Sequence, residues 1–178
     1  MKMIISGCQV LEFDNEDIGI ITAHTWGLNS SKTSKYAKTS IRKNGVISRP
    51  YIHRMLMNDA LEQYAKENSL PLNKVFVDHI DRNGLNNRRT NLRVCTRTEN
   101  NRNSMRSKNK SGFKGVSFDR RKKKFRARIH VAHKVGYKEI FIGYFQTAIE
   151  AAKAFNEAAL KYHGSFAYLN KLEDSKND

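Results

Sequence analysis

The segment Phe125-Arg126-Ala127-Arg128-Ile129-His130-Val131 alternates apolar and basic residues without a break. Only a strand sends successive side chains to opposite faces, so this segment buries Phe125, Ala127, Ile129 and Val131 and turns Arg126, Arg128 and His130 outward. A second strand is expected over 139–145. Thr147 and Glu150, three residues apart, then form a capping box. The helix they open carries Ala148, Ala151, Ala152, Phe155, Ala158, Ala159 and Tyr162 on one face, with Gly164 placed to stop it. So many alanines let a helix lie close against a sheet, whose other face is left free and cationic.

That cationic face belongs to a wider pattern. The 178 residues carry 33 Lys and Arg against 17 Asp and Glu, a formal net charge of +16 and a pI near 10.0. The excess is concentrated over 97–138, where fifteen Lys and Arg meet only Glu99 and Asp119. A polyanion is the expected partner. A membrane surface fits poorly, because the cations are interleaved at strand spacing and not set beside the broad apolar face of an interfacial helix. The N-terminal apolar run is broken by Ser6, Gly7 and Gln9, too soon for a signal peptide, and no later run approaches a membrane span. A cytoplasmic protein is expected. Cys8 and Cys95 form no CxxC pair, so neither a structural zinc site nor a disulfide framework is expected, and both read as reduced thiols.

Along the first fifty residues short β-favouring runs (18–21, 36–41 and 45–47) alternate with Asn, Ser, Gly and Lys turns, and this reads as a small antiparallel sheet. Apolar positions Met55, Leu56, Leu61, Tyr64 and Ala65 then recur near helical spacing, giving one helix over 51–70 closed by Ser69-Leu70-Pro71. A short strand at Val75-Phe76-Val77 follows, then a polar loop over 78–91, a second strand at Leu92-Arg93-Val94, and a helix opened by a Thr96/Glu99 capping box. The expected organisation is a first module over 1–105, a linker over 106–112, a second module over 113–170 and a polar tail over 171–178.

The polar loop carries the chemistry. Phosphodiester hydrolysis needs a base for water, a cation to neutralise phosphoryl charge, and stabilisation of the leaving 3′ oxygen. Asp78, His79 and a distant Asn can supply these: a carboxylate and an amide oxygen are hard ligands suited to Mg²⁺ or Mn²⁺, and a histidine titrates near neutral pH. From the residues alone, a single Asp-His pair in a polar loop is more often surface decoration than catalysis. The run His53-Arg54, Val77-Asp78-His79-Ile80-Asp81, Leu85-Asn86-Asn87-Arg88, Asn91-Leu92-Arg93 and Thr98-Glu99-Asn100 resembles the HNH homing endonucleases of phages and mobile introns over about residues 15–105. The resemblance implies a ββα-metal fold holding one divalent ion, Mg²⁺ or Mn²⁺. It makes His79 the general base, Asp78 and Asn100 the metal ligands, and Asn91 the residue that braces the loop and orients His79. With asparagine at the last position the site has a single carboxylate, so metal affinity without DNA is expected to be weak. His53 reads as structural, with Arg54 as a phosphate contact. Arg82, Arg88, Arg89 and Arg93 either hold the DNA backbone near the metal or are solvated loop charge.

A second resemblance covers about 112–170. Lys114-Gly115-Val116-Ser117-Phe118, Phe125 to Ile129, Ile142-Gly143-Tyr144-Phe145 and the Thr147-to-Asn170 helix and tail are similar to the plant Apetala/ethylene-response-factor DNA-binding domain. The resemblance implies a three-stranded antiparallel sheet that lies in the major groove with one helix packed behind it. Phe125 stands where that family usually has tryptophan, and the segment from His130 to Lys138 is longer. The sequence read by the plant domains therefore does not transfer. Lys114, Arg121, Lys123, Arg126 and Arg128 are the expected DNA contacts, with the 120–124 run as a phosphate-contacting hairpin turn.

Together these readings predict an α+β, modular, monomeric endonuclease of double-stranded DNA that nicks one strand per chain and leaves a 5′ phosphate and 3′ hydroxyl, with no obligate protein partner. A non-catalytic DNA-binding regulator and an RNA-processing protein are the rival readings.

Overall fold

A computed structural model describes residues 1–31, 34–104, 110–133 and 136–172, so most of the expected linker and nearly all of the expected tail lie outside the described residues. The chain divides into two compact units, Met1–Asn100 and Asn101–Asp178. Helix and strand are mixed throughout, with small antiparallel sheets. Among the described residues no helix is long and apolar enough to cross a membrane.

The first unit begins with hairpins and not with one sheet. β1 (Lys2–Ile5) pairs β2 (Gln9–Glu12), β3 (Gly27–Ser30) pairs β4 (Lys35–Lys38), and β5 (Ile41–Lys43) pairs β6 (Val46–Ser48). The run Ile18 to Ile21, expected as a strand, is instead a short helix, α1 (Ile18–Thr22). Its composition suits either state. Asp14, Glu16 and Asp17 precede it, favouring the positive end of a helix, and the buried positions Asp17 and Ile21 are four apart, a helical spacing. The single helix expected over 51–70 is broken into α2 (Ile52–Leu56) and α3 (Asn58–Glu67), because Met57 leaves helical geometry at φ −106°, ψ 17°.

Two apolar clusters hold this unit. Leu11, Phe13, Ile21, Trp26, Ala37, Ile52, Leu56 and Leu85 gather the β1–β2 and β3–β4 hairpins around α1 and α2. Leu61 and Ala65 of α3 pack on Val75, Val77 and Leu92 of the next strand pair, β7 (Val75–His79) and β8 (Leu92–Thr96). β8 leads directly into α4 (Arg97–Asn103), and the Thr96/Glu99 capping box is made: the Glu99 carboxylate accepts from Thr96 N at 2.8 Å, and Glu99 N donates to Thr96 Oγ1 at 3.3 Å.

The second unit holds β9 (Val116–Asp119), β10 (Lys124–His133) and β11 (Gly136–Phe145) in the order β11-β10-β9, with α5 (Ala148–His163) against one face. The alternation of β10 is realised: Ala127 and Ile129 are buried against Ala151, Ala152, Phe155 and Ala159 of α5. Tyr162, expected on that face, is exposed. The capping box at Thr147 and Glu150 is complete. Residues 127 and 128 oppose 143 and 141, so β11 carries an extra residue there, a bulge that shifts the alternation and lets Ile140 and Phe145, an odd number of positions apart, both reach the core.

Gly115 is the tightest point of this packing. It sits at φ +76°, and a Cβ there would collide with the Phe155 ring and come within 2.7 Å of the Arg128 carbonyl oxygen. Left-handed strain and overpacking add, so Gly115→Ala should destabilise this unit by about 3 kcal/mol. In a chemical denaturation series, a C-terminal transition at the wild-type midpoint would contradict the packing described.

Candidate functional site

The candidate site is built on β7, β8 and the loop between them. Val75 and Val77 face the core of α3, so pleating sends His79 to that same face and Asp78 to the other. Asp78 lies directly across from Arg93, whose Nε and Nη2 both donate to Asp78 Oδ2, at 2.9 and 2.6 Å. The pair is largely buried, with 7% and 16% of the side chains exposed. Two donors on one oxygen fix the carboxylate's direction as well as its charge.

His79 is 4% exposed. Its Nε2 lies 3.2 Å from Asn87 Oδ1, and its ring contacts those of His53 (centroids 5.1 Å apart, 86°) and Tyr36 (5.8 Å). Burial lowers its pKa, partly offset by the bond to Asn87 and the charges of Asp81 and Asp78. Behind it His53 stacks on Tyr51 at 5.4 Å and 11°, and Tyr51 OH accepts from Asn29 Nδ2 at 2.6 Å. His53 is buried, its Nδ1 has no hydrogen-bond partner among the described residues, and its pKa is lowered to about 3 by burial, with His79 and Arg54 adding to the effect.

Side-chain hydrogen bonds within the loop and backbone hydrogen bonds to its neighbours hold it together. Asn91 Oδ1 accepts from Asp81 N at 3.0 Å, and its Nδ2 donates to Asp81 Oδ1 at 2.9 Å and to the Asn86 carbonyl at 2.8 Å. Asp81 also accepts from Asn83 N at 2.8 Å and Asn86 Nδ2 at 2.7 Å. Burial works to raise the Asp81 pKa, and these hydrogen bonds outweigh it, leaving it lowered. The far side of the loop docks on β2 through Glu12 N to Leu85 O (2.9 Å) and Asn87 N to Glu12 O (2.7 Å). Gly84 passes so close to Tyr36 and the Lys35 carbonyl that any Cβ would collide.

Asn100, in the first turns of α4, lines a cleft of about 370 Å³ together with Tyr36, Tyr51, His53, Arg54 and Phe76. The structure thus brings Asn100, His53 and Arg54 to one cleft and sets His79 against two of its wall residues. Asp78 and Asn100 both present hard oxygen donors, which suits Mg²⁺ or Mn²⁺. Among the described residues no three His, Cys, Asp or Glu side chains converge. That donor set fits an ion completing its shell from phosphate oxygens and water better than one held in a protein cage.

Other candidates are placed less uniformly. Arg54 Nη1 donates to Val75 O at 2.9 Å, Arg88 pairs with Glu12 at 3.2 Å, and Arg89 is bound to Glu16 and Asp17. Arg82 sits within the loop at φ +66°. In the second unit Lys114 Nζ donates to the Arg102 and Ser104 carbonyls at 2.5 and 2.7 Å, internal bonds that tie its ammonium to the fold. Arg121 and Lys123 lie in the exposed β9–β10 turn. Arg126 and Arg128 are on the outer sheet face, where Arg128 Nη1 meets Glu139 at 2.8 Å and Arg126 Nε is buried without a hydrogen-bond partner among the described residues. Cys8 and Cys95 are free, and burial pushes the Cys95 thiol up to about 12.

Sequence reasoning did not single out Asn87, Tyr36 or Tyr51, and it read His53 as structural. Asn87 stands in a run of loop asparagines with nothing to distinguish it, and the tyrosines lie forty residues or so upstream, brought in only by tertiary packing.

The HNH endonuclease family profile matches residues 66–102, a span containing Asp78, His79, Asn91 and Asn100. An uncharacterized HNH endonuclease, L560, of Acanthamoeba polyphaga mimivirus is 31% identical over 140 residues, covering 79% of this chain and 70% of that protein. The chain belongs to the HNH endonuclease family. No solved structure matches it significantly. The nuclease is therefore an enzyme of phosphodiester hydrolysis, and the family implies DNA as its substrate.

The nuclease unit should be acid-sensitive. A lowered folded pKa means that the unfolded chain takes up the proton first, so stability due to neutral His53 is full above the ordinary histidine value of 6.5 and is lost as pH falls from there toward about 3. Unfolding followed by the chain's single tryptophan, buried Trp26, should show this loss, and His53→Phe should make it shallower. An acid limb identical to wild type would contradict the burial of a neutral His53.

Proposed function

We propose that the chain is a divalent-metal-dependent, site-specific endonuclease of double-stranded DNA, homing in type, that cuts one strand per chain. The observation that carries this reading is the arrangement around β7: a buried imidazole held by an amide oxygen, with an oriented carboxylate next to it and Asn100 in the adjoining cleft.

In this reading His79 is the general base. With the Asn87 amide oxygen as its partner, Nε2 carries the proton and the other ring nitrogen carries the lone pair. His79 takes a proton from water as the water oxygen bonds to phosphorus. The bond to the 3′ oxygen breaks, and solvent protonates that oxygen, giving a 5′ phosphate and a 3′ hydroxyl. Burial keeps the imidazole neutral and able to accept the proton. Asp78 and Asn100 hold the metal, and Arg93 aims the Asp78 carboxylate. A divalent ion bound there supplies electrostatic stabilisation of phosphoryl charge and of the departing oxygen. Asn91 keeps the loop in the shape that presents Asp78 and His79, and Asn87 keeps the His79 ring in place.

We further propose that the second unit is a DNA-binding domain of the Apetala/ethylene-response-factor kind, joined by a linker near 106–112. A three-stranded sheet with one helix behind it and arginines on the outer face supports this reading. Arg126, Arg128 and the Arg121–Lys123 turn are the proposed contacts there; in the nuclease unit they are Arg82, Arg54 and Arg88. Lys114, with its internal bonds, has a structural duty instead.

Cleavage of supercoiled plasmid in Mg²⁺, Mn²⁺ or EDTA tests the first proposal. Wild type should yield nicked circles with metal and nothing in EDTA, and His79→Ala should cut slower by at least about a hundredfold, as loss of a general base requires, while its gel-shift affinity stays near wild type. Wild-type cutting by His79→Ala would remove His79 from the chemistry. For the second, Arg126→Ala with Arg128→Ala should weaken binding or broaden site choice, and normal affinity with normal site choice would remove that sheet face from the interface.

A further inference from the structure

From residue 18 to residue 58 the nuclease unit contains no aspartate or glutamate, against seven cations: Lys32, Lys35, Lys38, Arg42, Lys43, Arg49 and Arg54. Protein surfaces ordinarily mix both signs, so a one-sided stretch of this length points to an anionic partner. At its centre is the β5–β6 hairpin. Its turn residues Asn44 and Gly45 both have positive φ, 50° and 77°, the geometry whose twist matches paired strands. The ribbon's shape is thus set locally. Every residue from Arg42 to Arg49 is exposed, and Val46 and Ile47 show 70% and 48% of their surface to solvent while contributing to neither core. An isolated two-stranded hairpin is marginal in water, and these aliphatics add nothing to either apolar cluster of the unit. The register sets Arg42 opposite Ile47 and Lys43 opposite Val46, so each face pairs a cation with an aliphatic side chain.

We propose that β5–β6 is a β-ribbon that enters the major groove of duplex DNA next to the scissile phosphate. Arg42, Lys43 and Arg49 meet phosphates, and Val46 or Ile47 meets base edges such as the thymine methyl. This deepens the DNA-cleaving reading and rests on it for the choice of partner. Dimensions decide the groove. Two strands about 4.8 Å apart, with their side chains, fill a major groove about 12 Å wide and do not fit a minor groove about 6 Å wide. The five residues from Thr39 to the turn reach about 16 Å at roughly 3.3 Å each, beyond a groove depth of about 8.5 Å.

The ribbon is also rooted at the cleft. Thr39 N donates to Pro50 O at 3.1 Å, and Lys38 bridges Tyr51, whose ring stacks on His53. Seating the ribbon therefore sets the distance from the bases it touches to His79.

Binding, and not cleavage, reads this proposal, so a chain that binds but never cuts would defeat the nuclease chemistry and leave the ribbon untouched. The probe is a duplex selected by the full-length wild-type chain from a random-sequence pool, and the same duplex with uracil replacing thymine. Arg42→Ala with Lys43→Ala should weaken binding about tenfold or more and reduce the log–log salt slope by about 2, from roughly −0.9 per phosphate contact. Val46→Ser with Ile47→Ser should leave the slope unchanged, weaken binding, and lose the wild-type preference for the thymine duplex. All variants should melt as wild type does, since the ribbon lies outside both cores. Wild-type affinity and slope in the charge variant would overturn the proposal. So would a charge effect with no effect of the serine variant, which would lay the ribbon along the backbone, outside the groove.

Discussion

Asn91 and Asp81 close a ring of hydrogen bonds that gives the loop between β7 and β8 its shape, and the candidate site hangs from that ring. A loop of this length has little apolar surface to bury: only Leu85 reaches the core, and the rest must be ordered by polar contacts. Each such bond is modest by itself, on the order of 1 kcal/mol, but most are side chain to backbone and shared by a few residues, so they act together. The consequence is directional. Ile80 N donates to the Asn91 carbonyl at 2.9 Å, which carries the β7–β8 pairing past His79, and Asn87 reaches the imidazole from the opposite end of the same loop.

Electrostatics adds orientation more than stability. Removing a carboxylate and a guanidinium from water costs several kcal/mol, and the attraction between Asp78 and Arg93 repays that only because the geometry is good. What the pair supplies is a carboxylate aimed in one direction. Arg89 plays a comparable part at the base of the loop, where it pairs with Oδ1 of the buried Asp17 and ties the loop to the segment before α1. The strongly basic composition thus divides into cations bonded within the fold, such as Arg89, Arg93 and Lys114, and cations set on exposed ribbon and turn surfaces.

Much of this was readable beforehand where a local rule decides the structure. The β10 alternation, both capping boxes and the strand–loop–strand–helix order around Asp78 follow from side-chain periodicity and from donors that need partners. The errors fall where tertiary context decides. Ile18 to Ile21 is apolar enough for a strand, and its helical state depends on acids upstream and on Arg89, seventy or so residues away. The break at Met57 has no local breaker such as proline or glycine to announce it. Asn87 could not be told from its neighbours Asn83 and Asn86 because its role is defined by a ring eight residues back and a strand near the N-terminus.

In the proposed chemistry a single ion is shared by Asp78 and Asn100, and paramagnetic resonance of free Mn²⁺ tests this most directly. Titrations of His79→Ala, in which the DNA stays intact, should show Mn²⁺ taken up in the presence of selected duplex and much less without it. Adding Asp78→Ala, or Asn100→Ala, should abolish the DNA-dependent uptake. Undiminished uptake after loss of either side chain would contradict the assignment of the metal to β7 and α4.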